Sequence, residues 1–387
     1  LKKLLTSALL ALTVVTSAQL GAEVIGSDER SHVVSTHVYP YRAIGLIQAD
    51  KATCTATLID KTHVVTAAHC LFDVQENKQW KRNPYFIPGK NGSAHGPFGV
   101  YQIKRAYVDK RYIRQAKKLK PVALAKYNAQ SNAEFHSFLT DALDLDIAIA
   151  ELDRPVAKRI GFMELKTVDQ KSLAPYIHLT GYPSDKTLHT QWTTHCQSSW
   201  DEDHSPMGDT LVHKCDTSPG MSGAVAYVKD FDDKYYAVGL FSVGTMSHNF
   251  ATPFDNNLRE RLIGWKNGIE DDQTMVHSFQ HEKYHNVHLV NECRFPVYAA
   301  INYKNLNGEW VTSGWRQLDG GESAYVASTK EKAFYVYAKS AGDPIMEWTG
   351  SDKVEKIGSS KHAKKYGLKR VKVDYEIYTP VYHNFNC

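Results

Sequence analysis

Between Val33 and about Leu152 the chain is written in short β-rich runs separated by Gly, Pro and Asn, and a second such region runs from about Ala157 to Thr252. β-branched and aromatic residues between turn formers mark strands, and many short strands in series close into barrels. The fold class is therefore mostly β. The exception is a stripe of Leu258, Leu262 and Trp265, opened by Asp255 as a cap and closed by Gly268, which predicts a helix after the second β region. At 387 residues the chain is too long for one ordinary domain, so two are expected.

One stretch carries chemistry. Asp216-Thr-Ser-Pro-Gly-Met-Ser-Gly223 sets the hydroxyl of Ser222 between glycines that let the backbone bend sharply and approach a substrate, and the apolar run Ala224 to Val228 follows to hold the turn. A serine hydroxyl is a poor nucleophile at neutral pH without a base. His69 can be that base; it closes the stretch Cys54 to Cys70, in which two apolar runs flank a polar turn at Asp60 to Thr62. Asp146 heads the β-branched run Asp146-Ile-Ala-Ile149. A carboxylate there accepts the Nδ1 proton of His69, sets its tautomer and stabilises the imidazolium formed during attack. Asp144 is the competing acid, and Asp146 is preferred because the apolar run begins directly after it. The N–H groups of Gly220 and Ser222 are the expected oxyanion donors.

Val24-Ile-Gly-Ser-Asp-Glu-Arg30, Tyr39-Pro-Tyr-Arg-Ala-Ile-Gly45, Thr66-Ala-Ala-His-Cys70, Asp146-Ile-Ala-Ile149, Gly181-Tyr-Pro183 and the serine turn follow one another in an order that resembles the trypsin-fold serine endopeptidases, most of all their bacterial V8-like, glutamyl-endopeptidase branch. The resemblance covers roughly residues 24 to 268. It implies two six-stranded antiparallel β-barrels of the chymotrypsin type, a closing helix, and histidine, aspartate and serine in chain order at 69, 146 and 222. It also implies protein or peptide substrates and no cofactor or metal.

The resemblance weakens at specificity. Ser242-Val-Gly244 resembles the extended segment that pairs with substrate backbone. Glutamate-specific members carry a histidine one position earlier, where this chain has Phe241; their pocket threonine is kept as Thr217. Asp216, six residues before the nucleophile, stands where trypsin-like enzymes place the acid that selects Lys or Arg. A buried Phe241 cannot compensate a bound carboxylate for its lost water, which leaves His248 or the N-terminal amine as substitutes. Met221 takes the place of the acid that, in trypsin, pairs with the new N-terminus after activation, so the oxyanion turn must be held by local packing.

The chain opens with Lys2 and Lys3, an apolar run from Leu4 to Val15 and small residues to Ala22, the pattern of a leader peptide over residues 1–22. Export and an extracellular or periplasmic location are expected, with a mature chain starting near Glu23. No later run has the length to span a membrane. In an exported protein six cysteines read as disulfides. Six allow fifteen pairings; position favours Cys54 with Cys70 around the base, Cys196 with Cys215 before the serine turn, and Cys293 with Cys387 closing the last domain. Lys110, Arg111, Arg114, Lys117, Lys118 and Lys120 make a basic run read as a solvated loop or surface helix. With a formal net charge of only +4 and no nucleic-acid motif, a nucleic-acid partner is not expected.

His281-Glu-Lys-Tyr-His285 fits the H-E-x-x-H pattern of zinc peptidases, in which Glu282 would polarise a zinc-bound water. The stretch is polar throughout, and the favoured reading is a histidine-rich linker over 269–291, between a protease domain at 23–268 and a small domain at 292–387. That last domain has aromatic, β-branched runs at Val297–Tyr303, Trp310–Trp315, Ser323–Ala327 and Ala333–Ala338, and loosely resembles an uncharacterised bacterial domain. Trp310, Trp315 and Trp348 could meet an envelope or carbohydrate ligand, though core packing is favoured. The basic run of Lys361, Lys364, Lys365, Lys369 and Arg370 reads as a solvated face. The expected protein is a monomeric, secreted serine endopeptidase. The alternatives are a catalytically weak homologue acting as a binding or adhesion module and, behind it, a zinc peptidase.

Overall fold

The computed structural model describes residues 24–50, 52–74, 77–92, 97–118, 142–168, 175–201, 210–244, 248–281, 284–358, 363–373 and 381–387. The leader over 1–22, Lys120, Glu282 and Lys361 lie outside these residues.

Two closed barrels form, each of six antiparallel strands. The first contains β1 (Ile44–Ala49), β2 (Ala52–Leu58), β3 (His63–Thr66), β4 (Tyr85–Pro88), β5 (Tyr101–Asp109) and β6 (Ala148–Leu152), with spatial order β5-β4-β1-β2-β3-β6 and closure by β5 on β6. The second contains β7 (Tyr176–Gly181), β8 (Trp192–Asp201), β9 (Thr210–His213), β10 (Val225–Lys229), β11 (Tyr235–Gly244) and β12 (Asn249–Pro253), in the order β8-β9-β12-β11-β10-β7, closed by β8 on β7. Every residue of β1 is buried, because one face fills its barrel and the other lies towards the second barrel. One apolar cluster joins the two barrels, running from Ile47 and Val65 to Tyr227 and Leu240 and on to Leu262 and Trp265.

Two helices are described. In α1 (Lys110–Lys118), Tyr112, Ile113 and Ala116 are buried while the lysines at its end face water, so the basic run from Lys110 to Lys118 is a surface helix with an anchored face. Helix α2 (Asn256–Lys266) starts at Asp255, whose carboxylate accepts Leu258 N, and buries Leu262 and Trp265. It ends near its predicted place.

The stretch expected as a linker is not one loop. Thr274–Ser278 is a strand that pairs with Arg105–Asp109 of β5, and His285–Asn291 opens the C-terminal unit. The strand is fastened by Trp265 Nε1 donating to Thr274 Oγ1 at 2.8 Å. Its Met275 and Val276 pack against the core cluster of the barrels.

The C-terminal unit holds a three-stranded sheet (His285–Asn291 between Ser323–Thr329 and Val381–Phe385) and a larger antiparallel sheet that includes Val297–Lys304, Trp310–Leu318, Ala333–Ser340, Lys364–Lys372 and Lys353–Ile357. Val287, Leu289, Ile301, Phe334, Val336 and Phe385 make its core. Disulfides join Cys54 to Cys70, Cys196 to Cys215 and Cys293 to Cys387. No helix among the described residues is long and apolar enough to cross a membrane.

The unit docks on the first barrel through Tyr382, whose hydroxyl donates to Gln48 Oε1 at 2.6 Å. The rings of His189 and His288 pack on Tyr382 at 5.1 and 4.9 Å. Burial, with Lys90 and His288 nearby, pushes His189 down to about 3, and burial pushes His288 down to about 4. Lys90 is itself lowered by burial to about 8, against the pull of Glu292. Unfolded histidines titrate near 6.5, so this contribution to stability is complete above that pH and lost as pH falls towards 4, by about 1.4 kcal/mol per pH unit for each ring. Urea midpoints should therefore drop between pH 7 and pH 4.5. A flat profile would show that the rings accept protons in the folded protein.

Candidate active site

Strands β2 and β3 form the hairpin predicted around Asp60, and the chain leaves it through a single 3-10 turn, Ala68–Cys70, that presents His69. The Cys54–Cys70 disulfide ties this exit back to β2. Lys81 Nζ donates to His69 O at 2.8 Å, so the residue is held from both sides of its backbone.

Asp146 enters just before β6 and is 1% exposed. Its Oδ2 lies 2.7 Å from His69 Nδ1, and its Oδ1 accepts His69 N at 2.9 Å. Ser242 Oγ donates to Oδ2 as well. Burial would raise the pKa of this carboxyl; the His69 ring and the bonds from His69 and Ser242 outweigh it and hold Asp146 below the usual carboxylate range. Its fixed acceptor selects the tautomer with the proton on Nδ1, leaving Nε2 free to take a proton. Asp144 sits in the preceding 3-10 turn Leu143–Leu145, half-buried, and it is Asp146 that reaches His69. Burial and the Asp146 charge push the hydroxyl of Tyr112, from α1, well above the tyrosine range.

The serine turn is fastened to both barrels. Thr55 N donates to Ser222 O at 2.9 Å, and Thr55 Oγ1 donates to Gly220 O at 2.9 Å. Gly220 has φ +97°, and a Cβ there would lie 2.3 Å from Tyr182 O, so no other residue fits without moving that segment. Neither Gly220 N nor Ser222 N donates to backbone among the described contacts, which leaves both available to a substrate oxygen. His69 and Asp146 are joined directly. Ser222 reaches the same hairpin through its backbone, with no bond between its Oγ and the ring among the described contacts. Such contacts are often loose before substrate binds.

Around the turn, β10 covers the edge of β11 as far as Leu240, and the two residues before β10 extend the cover to Phe241, through Phe241 N to Ala224 O and Gly223 N to Phe241 O; β12 pairs the opposite edge on to Gly244. Ser242 to Gly244 therefore present one edge that no described strand covers, the arrangement a substrate strand needs. Asp216 departs from expectation: it is 3% exposed, and its oxygens accept Ile25 N at 2.8 Å and Glu29 N at 2.7 Å. Its carboxylate is committed to the N-terminal segment, so it is not an open acid waiting for a cation. Thr217 and Phe241 are fully buried, and His248 lies half-buried just before β12. Behind Phe241 stands His213, at 5.9 Å between rings, a residue sequence reasoning missed. Burial lowers it to about 3, so it is neutral. A lone histidine in an alternating strand carries no signal of its own.

The stretch from His281 to His285 is not helical in its described residues. His281 Nε2 contacts Ile103 O at 2.8 Å, and His285 begins a strand. Among the described residues, two Cys and His groups are compact enough for a metal, Cys54, His69 and Cys70, and Cys196, His213 and Cys215. Their sulfurs are in disulfides, which removes the thiolates a metal would need.

Residues 30–200 match the Trypsin family model. The chain is 25% identical over 255 residues to a protein named Glutamyl endopeptidase from Bacillus licheniformis, covering 64% of this chain and 70% of that one. It is 24% identical over 259 residues to one named Extracellular metalloprotease from Bacillus subtilis, with the same coverage. A solved Glu endopeptidase in complex with MPD aligns with TM-score 0.49 and 23% identity, over 63% of this chain and 99% of that one.

Proposed function

Since the chain contains a trypsin-family domain and is a serine endopeptidase, we propose that Ser222, His69 and Asp146 carry its chemistry. Ser222 Oγ attacks the peptide carbonyl as His69 Nε2 takes its proton; the tetrahedral oxyanion is met by Gly220 N and Ser222 N. His69 then gives the proton to the leaving amine, and water resolves the acyl-enzyme by the same steps reversed. The observation that carries this reading is the buried Asp146 carboxylate gripping both Nδ1 and the backbone N of His69. A base so oriented has little else to serve.

For P1 we propose an acidic side chain, on the strength of the Glutamyl endopeptidase likeness. Selection of Lys or Arg by Asp216 loses its support because both its oxygens are occupied. The secretion reading rests on the leader pattern together with the word extracellular in the second relative's name. In the C-terminal unit, Trp348, Trp315 and Trp310 all pack against neighbouring aromatics; Trp310 is the exposed one of the three, with Lys353 Nζ 3.6 Å from its ring centre, and it is the residue on which an envelope or carbohydrate ligand would rest.

The test is cleavage-site mapping on a denatured protein mixture, with and without a strong chelator. Cuts after Glu and Asp that survive the chelator are expected. Cuts after Lys and Arg would overturn the P1 reading, and abolition by the chelator would move the chemistry to a metal.

A further inference from the structure

Arg30 is a charged residue whose side chain is wholly buried between Asp28, two residues before it, and Asp185, 155 positions further along the chain. Its guanidinium reaches two carboxylates: Nη1 and Nη2 donate to Asp185 at 3.0 and 2.5 Å, while Nε and Nη2 donate to Asp28 at 2.8 Å each. Lys186 Nζ closes the far side by donating to Asp28 at 2.6 Å. Both carboxyls are held below the ordinary range, Asp28 chiefly by its bond to Arg30, Asp185 by Arg30 and Ser218 against the effect of burial.

The network has an outlet. Ser218 Oγ, two residues before Gly220, donates to Asp185 at 2.5 Å, and Ser184 N donates to Pro219 O at 2.7 Å. On the other flank, Ile25 N and Glu29 N hold Asp216. One short segment, residues 25–30, thus grips the serine turn on both sides of Thr217. The position where trypsin keeps the acid of its activating ion pair is here Met221, fully buried and apolar. Something else must keep Gly220 N aimed at the oxyanion.

We propose that Arg30, acting through Asp185 and Ser218, is the positioning residue of the oxyanion turn. It touches no reacting atom. It fixes the Tyr182–Asp185 segment, whose carbonyl at Tyr182 packs against Gly220 and whose Asp185 and Ser184 hold Ser218 and Pro219 in place. A planar, five-donor cation can bridge two carboxylates in this way, and a lysine cannot. This inference rests on the serine-protease reading for its catalytic consequence, though not for the clamp itself.

The test uses the full mature chain as Arg30→Met, Arg30→Lys, Ser218→Ala and a double variant of Arg30→Met with Ser218→Ala. Two readouts are taken: kcat and KM on a peptide substrate, and backbone hydrogen exchange of residues 216–223. In the single variants kcat should fall about 10- to 100-fold with KM changed less than about threefold, as when oxyanion donation is impaired. Exchange in the turn should rise. Arg30→Lys should recover only part of the loss, and the double variant should be no worse than Arg30→Met alone. Ser218→Ala, which removes a single oxygen, keeps the test open should Arg30→Met fail to fold. Unchanged exchange in the turn of Ser218→Ala overturns the clamp, whatever the activity. Raised exchange with wild-type kcat overturns the positioning role. If the parent protein hydrolyses nothing, the exchange arm still decides the clamp, and the fault lies with the serine-protease reading.

Discussion

Ser222→Ala is expected to lower kcat on a peptide substrate by about 10⁶-fold, to a remnant owed to the oxyanion donors and binding alone. The substitution removes one half-buried hydroxyl and nothing that holds the turn, since Thr55 N still finds Ser222 O and Thr55 Oγ1 still finds Gly220 O. Stability should accordingly stay within about 0.5 kcal/mol of the parent, as for other changes that leave packing alone. The measurement is steady-state turnover paired with thermal unfolding of the same sample. A folded variant that keeps appreciable turnover would remove Ser222 from the chemistry and return attention to groups outside the barrels.

The second large effect concerns orientation. Asp146→Asn should reduce kcat by about 10⁴-fold near neutral pH while leaving the fold intact. An amide in that position offers an N–H to His69 Nδ1 where the carboxylate accepted one, so the ring turns over to the tautomer whose proton sits on Nε2. It can then no longer receive the proton of Ser222. The neighbours make the swap costly: His69 N, His69 Nδ1 and Ser242 Oγ all converge on the carboxylate as donors, and an amide accepts through only one atom. The control is Asp144→Asn, for which a change of less than about twofold is expected because Asp144 stands outside the contact with His69. Equal losses in the two variants would overturn the assignment.

Much of this was legible in the chain because the chemistry is written locally. The run around His69, the acid at the head of a β-branched strand and the glycines about Ser222 each carry their geometry within ten residues or so. The two β-rich regions were legible for the same reason, since strand length and turn residues are local properties, while six strands to each barrel was what the resemblance implied. What could not be read depends on residues far apart. Asp216 looks like a pocket acid until the amides of Ile25 and Glu29 arrive from 191 and 187 positions away. Arg30 is only the last residue of the matching stretch from Val24, and nothing near it in the chain announces Asp185, 155 positions on. Ser242 reads as a substrate-pairing backbone position, and its hydroxyl proves to serve Asp146. The strand at Thr274–Ser278 lies in a stretch read as a linker, and its place is dictated by an edge of β5.

That last strand decides where the protease portion can be divided from the rest. A protein ended at Gly268, just after α2, would strip the ladder from Arg105–Asp109 and leave a row of N–H and C=O groups bare in solution. It would also take Thr274 from Trp265 Nε1 and Asp271 from Arg261. Such a product has a ready template for adding a strand from a neighbouring molecule, and self-association is its natural fate. A soluble, separable catalytic fragment has to carry its own hem, which places the divide beyond Ser278, in the few residues before the C-terminal unit begins at His285.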